Sequence, residues 1–137
     1  MELQPHHSDF VTCLTALEEA IAGLWYPSET DAPLAIAIYA DPNLDATSLG
    51  KQLGTNADTF EHRSADEFFR RIFDNFYWST PQGGNLTQRY KRLQEVLQTH
   101  LQDLNFYRVG AVDVNLYLLG RHPSGCYVGV YTHMIET

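Results

Sequence analysis

Val112-Asp113-Val114-Asn115-Leu116-Tyr117-Leu118-Leu119 is the stretch on which the fold turns. Val112, Val114, Leu116 and Leu118 alternate with Asp113, Asn115, Tyr117 and Leu119, the period of two that sends successive side chains to opposite faces of a strand. Pro123-Ser124-Gly125 then supplies a turn, and Cys126 to Thr132 supplies a partner strand, so the spacing predicts an antiparallel hairpin. Upstream, Phe106 to Gly110 reads as one more strand leading into it.

Working outward, the period changes. Leu86, Tyr90, Leu93, Leu97, Leu101 and Leu104 recur at helical spacing, with Asn85 as the cap and Arg89, Lys91, Arg92 and Glu95 projecting elsewhere, which predicts a long amphipathic helix. Before it, Ser79 to Gly84 is a Pro- and Gly-containing loop. A second helix follows from Phe68, Phe69, Ile72, Phe73 and Phe76, and Ser64-Ala65-Asp66-Glu67 matches a capping box at its start. Phe10, Leu14, Leu17 and Ile21 give a first helix after Ser8, with Gly23 as its left-handed stop. Leu34, Ile36 and Ile38 alternate with Ala35, Ala37 and Tyr39, read as a strand covered on both faces. A short helix from Asp45 toward Gly54 and a brief strand at Thr59 to Arg63 complete the pattern. Helices preceding a β-rich end predict an α+β fold, with helices covering a mostly antiparallel sheet. The 137 residues form one expected domain, with residues 1–8 as an extension.

Composition narrows the function. Net charge is −8, and no Lys or Arg precedes Lys51, whereas Glu2, Asp9, Glu18, Glu19, Glu29, Asp31, Asp41 and Asp45 all fall in that stretch. Direct binding of nucleic acid needs clustered cations on the phosphates, so it is disfavoured. Two readings of the acidic half stand side by side: a solvated face that confers solubility, and a surface that steers toward a basic partner. Met1 to Phe10 has no basic region followed by an apolar core, and no segment approaches the ~20 apolar residues of a membrane span. With Cys13 and Cys126 far apart, a reducing cytoplasm is the expected compartment. His6, His7, His62, His100, His122 and His133 show no zinc-ligand spacing, and no nucleophile elbow or phosphate loop is present, so no enzyme, cofactor or resident metal is expected.

A family likeness rests on a series of short matches in order: Ala20-Ile21-Ala22-Gly23-Leu24, Ser28-Glu29, Pro33, Phe68-Phe69 and Trp78. It continues through Tyr90, Leu93-Gln94-Glu95-Val96, Tyr107-Arg108-Val109-Gly110, Leu118-Leu119-Gly120 and Pro123-Ser124-Gly125 to the terminal Glu136-Thr137. From about Asp9 to the last residue, the chain resembles the nuclease A inhibitor family. That resemblance implies an α/β/α sandwich that blocks a DNA/RNA-nonspecific, magnesium-dependent endonuclease with a basic substrate groove. It also implies a protein that is monomeric when free.

Three positions carry over from the family's inhibitory surface. Thr137 aligns with a terminal threonine that reaches the nuclease magnesium, its hydroxyl and carboxylate being oxygen groups that Mg²⁺ accepts; the alternative is a frayed end. Glu29 aligns with a loop glutamate facing the nuclease active site, against the alternative of a plain exposed loop carboxylate. Trp78 aligns with an interface tryptophan, against a core residue closing the aromatic helix. Tyr77 and Glu136 flank these positions and join the expected contact set. At Tyr77 the family's inhibitor has an acidic residue, and the acidic run after the tryptophan is replaced by Ser79-Thr80-Pro81-Gln82-Gly83-Gly84. This loss of carboxylates implies a different partner nuclease or weaker binding. A diverged member acting as a small-molecule-binding or regulatory module is the alternative, since fold does not fix function.

Overall fold

A computed structural model describes residues 7–27, 31–40, 46–54, 59–74 and 86–135. In chain order these form α1 (His7–Ile21), β1 (Trp25–Tyr26), β2 (Ala32–Pro33), β3 (Ala35–Tyr39), α2 (Ala46–Gly54) and β4 (Phe60–Ser64). They continue with α3 (Ala65–Phe73), α4 (Leu86–His100), β5 (Gln102–Val109), β6 (Asp113–Arg121) and β7 (Tyr127–Ile135). The main sheet runs β3-β7-β6-β5-β4 with every neighbour antiparallel, and β1 and β2 make a separate two-stranded piece. The α+β reading therefore holds.

Alternation along the predicted hairpin sorts the two faces. Val114, Leu116 and Leu118 of β6, Val128, Val130 and Met134 of β7 and Phe106 of β5 point to one face, called inner here. There they meet Cys13, Leu17 and Ile21 of α1, Phe68, Phe69 and Ile72 of α3, and Tyr90, Leu93 and Leu97 of α4. Burial of each such leucine or phenylalanine contributes about 1.5–3 kcal/mol, so this layer dominates the stability. On the outer face, Tyr107, Leu119 and Tyr127 pack with Leu49 of α2, joined by Ala37, Tyr39, Leu53 and Tyr117. Gly129 lies on that face where strands approach closely: a Cβ there would stand 2.9 Å from the carbonyl carbon of Leu118 in the adjacent strand.

Three expectations are corrected. Leu101 and Leu104 do not extend α4, which ends at His100, and β5 begins at Gln102. Asp103 takes a φ of +54° inside β5, beside a register shift between Gln102 and Asn105, so the strand starts with a bulge immediately after the helix has ended. Strand β3 is an edge, not a strand covered on both faces, and Ile38 is 44% exposed. The capping box does not close: Ser64 makes no side-chain cap bond, and the Glu67 carboxylate instead accepts from Arg63 at 2.9 Å. A guanidinium one turn away outcompetes a backbone N–H for that carboxylate because both ends of the pair are charged. The strands β1 and β2 were not anticipated at all. Gly23, by contrast, takes the left-handed φ of +69° expected at the end of α1.

Burial of ionisable groups in this core makes the protein sensitive to alkali. Burial pushes the Cys13 thiol up from its ordinary 9.0 to about 11, and raises the phenols of Tyr26 and Tyr90 far above the usual tyrosine range. Above pH 9 the unfolded thiol loses its proton while the folded one keeps it, so the unfolded state binds fewer protons and stability falls as pH rises. Urea midpoints should hold steady to about pH 8 and decline progressively between about pH 9 and 11; Cys13→Ala should flatten the first part of that decline.

Candidate functional site

Two-residue strands do not hold themselves together. The β1–β2 pair, with Trp25 opposite Pro33 and Tyr26 opposite Ala32, is held instead by side chains from three other elements. Arg89 of α4 donates through Nη2 to the carbonyls of Ala20 at 2.9 Å and Ala22 at 2.8 Å. The neighbouring Tyr90 hydroxyl donates to the Trp25 carbonyl at 2.9 Å. Arg71 of α3 donates through Nε to the Pro27 carbonyl at 2.6 Å. On the returning strand, Thr132 of β7 donates through Oγ1 to Pro33 at 2.9 Å and Ala32 at 3.5 Å. Carbonyls that leave regular structure need such donors, because an unpaired buried one forfeits its bond to water.

Tyr26 fastens the pair from within. Its ring stacks on Phe68 at a centroid distance of 4.7 Å and meets Tyr90 edge-on at 6.2 Å, and its hydroxyl donates to the Phe68 carbonyl at 2.8 Å. Phe68 in turn packs edge-on against Phe69 at 5.2 Å and Phe106 at 5.6 Å. Edge-to-face pairs add about 0.5–1.5 kcal/mol beyond area burial, so the hairpin root is welded to the main core.

Glu29, Tyr77, Trp78, Glu136 and Thr137 all lie outside the described residues. What the structure does describe is where their segments start and finish. Glu29 falls between Pro27 and Asp31, and Pro27 is held by Arg71. Arg71 sits near the end of α3, whose C-cap Asp74 is the last described residue before the segment of Tyr77 and Trp78. Ala32 and Pro33, just after Glu29, are held by Thr132, three residues before Ile135, which Glu136 and Thr137 follow. Register agrees: β7 pairs β3 from Tyr127 opposite Tyr39 to Tyr131 opposite Ala35, so β7 runs toward the sheet end at which residues 31–34 enter. The roots of the three segments are thus bonded to one another.

Sequence reasoning missed the residues that do this fastening. Arg89 was read only as projecting from the helix, and Tyr90 only as part of the apolar stripe. The available signal was Trp25-Tyr26 between Gly23 and Pro27, two large aromatics in a stretch too short for a helix. Among the described residues no cluster of His, Cys, Asp and Glu could hold a metal. A groove of about 260 Å³ lies beside the end of α3, lined by Asp66, Phe69, Arg70, Phe73, Asp74 and Gln94. It falls below the ~300–1,000 Å³ of small-molecule sites.

No described helix is long and apolar enough to cross a membrane. A sequence model of NuiA, described as a nuclease A inhibitor-like protein, matches residues 12–137. No curated protein matches the chain.

The fastening is testable without touching any expected contact. Thr132→Val keeps the shape and removes the donor, and should cost about 0.5–1.5 kcal/mol in urea unfolding. Hydrogen exchange at the Leu34 amide, which donates to Leu24 across the hairpin at 3.3 Å, should accelerate more than at the centre of β6. Uniform acceleration would show that the bond supports the whole fold and not the hairpin root.

Proposed function

The chain belongs to the nuclease A inhibitor-like family, and from that membership we propose that it is a protein inhibitor of a magnesium-dependent, sugar-nonspecific endonuclease. It acts by binding and not by catalysis, and works in the cytoplasm. The observation that carries the reading is the joining of roots described above. Segments containing Glu29, Tyr77-Trp78 and Glu136-Thr137 are far apart in sequence, yet Arg71 and Thr132 tie their starting points together. Residues on three such segments can meet one partner surface.

Charge supports the same reading. A groove built for phosphates is basic, and a carboxylate-rich surface is drawn to it faster and held in register better than a neutral one. Asp9, Glu18, Glu19 and Asp31 are exposed in the half of the chain that lacks Lys and Arg. Within the groove the roles divide by chemistry. The Thr137 hydroxyl and carboxylate are hard oxygen groups suited to the nuclease magnesium, which keeps several exchangeable waters. Glu29 pairs with a basic or metal-bound group beside it. Trp78, with Tyr77, supplies an aromatic anchor of the kind that concentrates binding energy. Nucleic acid is excluded from the ion by displacement, so cleavage stops without chemistry on the inhibitor. The small-molecule alternative draws no support from the shallow groove beside α3.

Titration of the protein into a magnesium-dependent nonspecific nuclease, with DNA cleavage followed at near-physiological salt, tests the reading. Stoichiometric inhibition is expected; none at micromolar concentration, against several such nucleases, would overturn it. Deletion of Thr137 should weaken inhibition while changing folding stability by less than about 0.5 kcal/mol, as for an exposed surface change. For Glu29→Ala, loss of one member of a desolvated pair should cost about 2–5 kcal/mol of binding, and an effect below about 0.5 kcal/mol would place Glu29 outside the contact.

A further inference from the structure

Helix α2 covers only part of the outer sheet face. Leu49 reaches Tyr107, Leu119 and Tyr127, so α2 covers the end of the face where β6 finishes and β7 begins. Toward the other end, register places side chains in two rows. One row crosses the sheet through Ala35, Tyr131, Tyr117, Tyr107 and His62. The next runs through His133, Asn115, Val109 and Phe60. Tyr131 is 38% and Phe60 40% exposed, whereas Tyr107, under Leu49, and Val109 are buried and back the open rings. The rings are in mutual contact: Tyr117 and Tyr131 lie 5.2 Å apart by centroid, and Tyr107 stacks on His62 at 4.9 Å. Neither row contains a Lys or Arg, and the nearest carboxylate is Asp113, 3.7 Å from the His133 Nε2.

We propose that this aromatic half-face, centred on Tyr131 and His133, is a second part of the surface that receives the nuclease, taking arginine and lysine side chains against its rings; the proposal rests on the inhibitor reading. Three arguments meet there. The first is reach. A standard interface covers about 800 Å² per partner, a disc of about 16 Å radius. His133 lies two residues before Ile135, about 7 Å along a strand, and Thr137 is at most about 7 Å further on. A partner centred on Thr137 therefore extends over His133, and the Tyr131 backbone, ~7 Å further back along the strand, comes within about 5 Å of its edge, a gap that an arginine or lysine side chain spans.

The second is access. The inner-face residues of β7 near its end, Thr132 and Met134, are buried, so the surface of this strand open to a partner is the outer one, with Tyr131, His133 and Ile135. The third is chemistry. Aromatic faces attract Arg and Lys within about 6 Å of the ring, and a basic groove offers many of both. Tyrosine supplies large contact area at low entropic cost, and on a hydrogen-bonded sheet it needs no reordering to bind. A stacked strand of nucleic acid would also suit the rings, but it requires a cationic track that these rows lack.

The test compares inhibition of the same nuclease by the wild type, Tyr131→Phe, Tyr131→Lys and Gln98→Lys. Gln98 is exposed on α4, outside the acidic first third, and controls for the added charge. Tyr131→Lys should weaken inhibition at least tenfold with an unchanged melting temperature, Tyr131→Phe should inhibit like the wild type, and Gln98→Lys should shift inhibition by less than twofold. Equal inhibition by Tyr131→Lys and Gln98→Lys overturns the inference and leaves the inhibitor reading standing, whereas failure of the wild type to inhibit overturns both. If Tyr131→Lys lowers the melting temperature, Tyr131→Thr, which suits a strand and adds no charge, decides: retained inhibition overturns the inference. Tyr131-dependent binding of a fluorescent single-stranded oligonucleotide, or Tyr131-dependent dimerisation in sedimentation, would assign the face to another occupant and overturn it.

Discussion

Backbone carbonyls between Ala20 and Pro33 have no ladder long enough to satisfy them, and the arrangement of this protein follows from how they are satisfied. Arg89 and Tyr90 of α4, Arg71 of α3 and Thr132 of β7 each supply a donor. The donors belong to elements separated by tens of residues, so the hairpin root is in place only when two helices and a strand are already packed. Local structure here is a consequence of tertiary structure. Two of the donors are guanidinium groups, whose bonds to neutral acceptors contribute about 1.5–3 kcal/mol, enough to offset ordering of a two-residue ladder.

Beneath those bonds the packing has matching demands. Tyr26 and Tyr90 are both almost fully buried, and a buried phenol is tolerated only where its hydroxyl finds a partner. Each finds a backbone carbonyl, Tyr26 at Phe68 and Tyr90 at Trp25, so the rings that fill the core also fasten its periphery. Phenylalanine at position 90 would preserve the filling and remove the donor from the Trp25 carbonyl of the hairpin, and at position 26 it would remove the donor from the Phe68 carbonyl of α3. The aromatic weight of this core, with Phe68, Phe69 and Phe106 around the two tyrosines, thus reflects a double role.

Much of this was legible in the residues. Helix α1 with its glycine stop, the aromatic stripe of α3 and the β6–β7 hairpin all follow from periodicity, because each buries one face against one neighbour. The end of α4 was not, since Leu101 and Leu104 keep helical spacing although the chain leaves the helix at His100 and pairs as a strand from Gln102. Nor was the capping box, whose sequence is intact but whose glutamate is taken by Arg63. Strands β1 and β2 carry no periodic signal because two residues have no period. Of the expected contact residues, the chain order suggested the set, but only the fold shows why the segments bearing Glu29, Trp78 and Thr137 start from linked points.

That linkage bears on how a binder built from short segments gains affinity. Fixing a backbone residue costs about 1–2 kcal/mol, so contacts carried on free segments lose much of their energy to ordering. The residues on both sides of Glu29 are anchored, at Pro27 and at Ala32-Pro33, so the two points from which that segment starts and returns are set before any partner arrives. Thr137 follows two residues after Ile135, the end of a strand held by β6 along its whole length and by β3 as far as Tyr131. Long-range attraction between an acidic surface and a basic groove requires no such precision, because it varies slowly over a Debye length of about 8 Å. Metal-directed oxygens and ring-stacked cations do require it, since both contacts fail within an ångström or two of misplacement. On the inhibitor reading the two halves of the chain therefore have separate duties: the cation-free first third draws the partner in, and the fastened sheet end decides which partner stays.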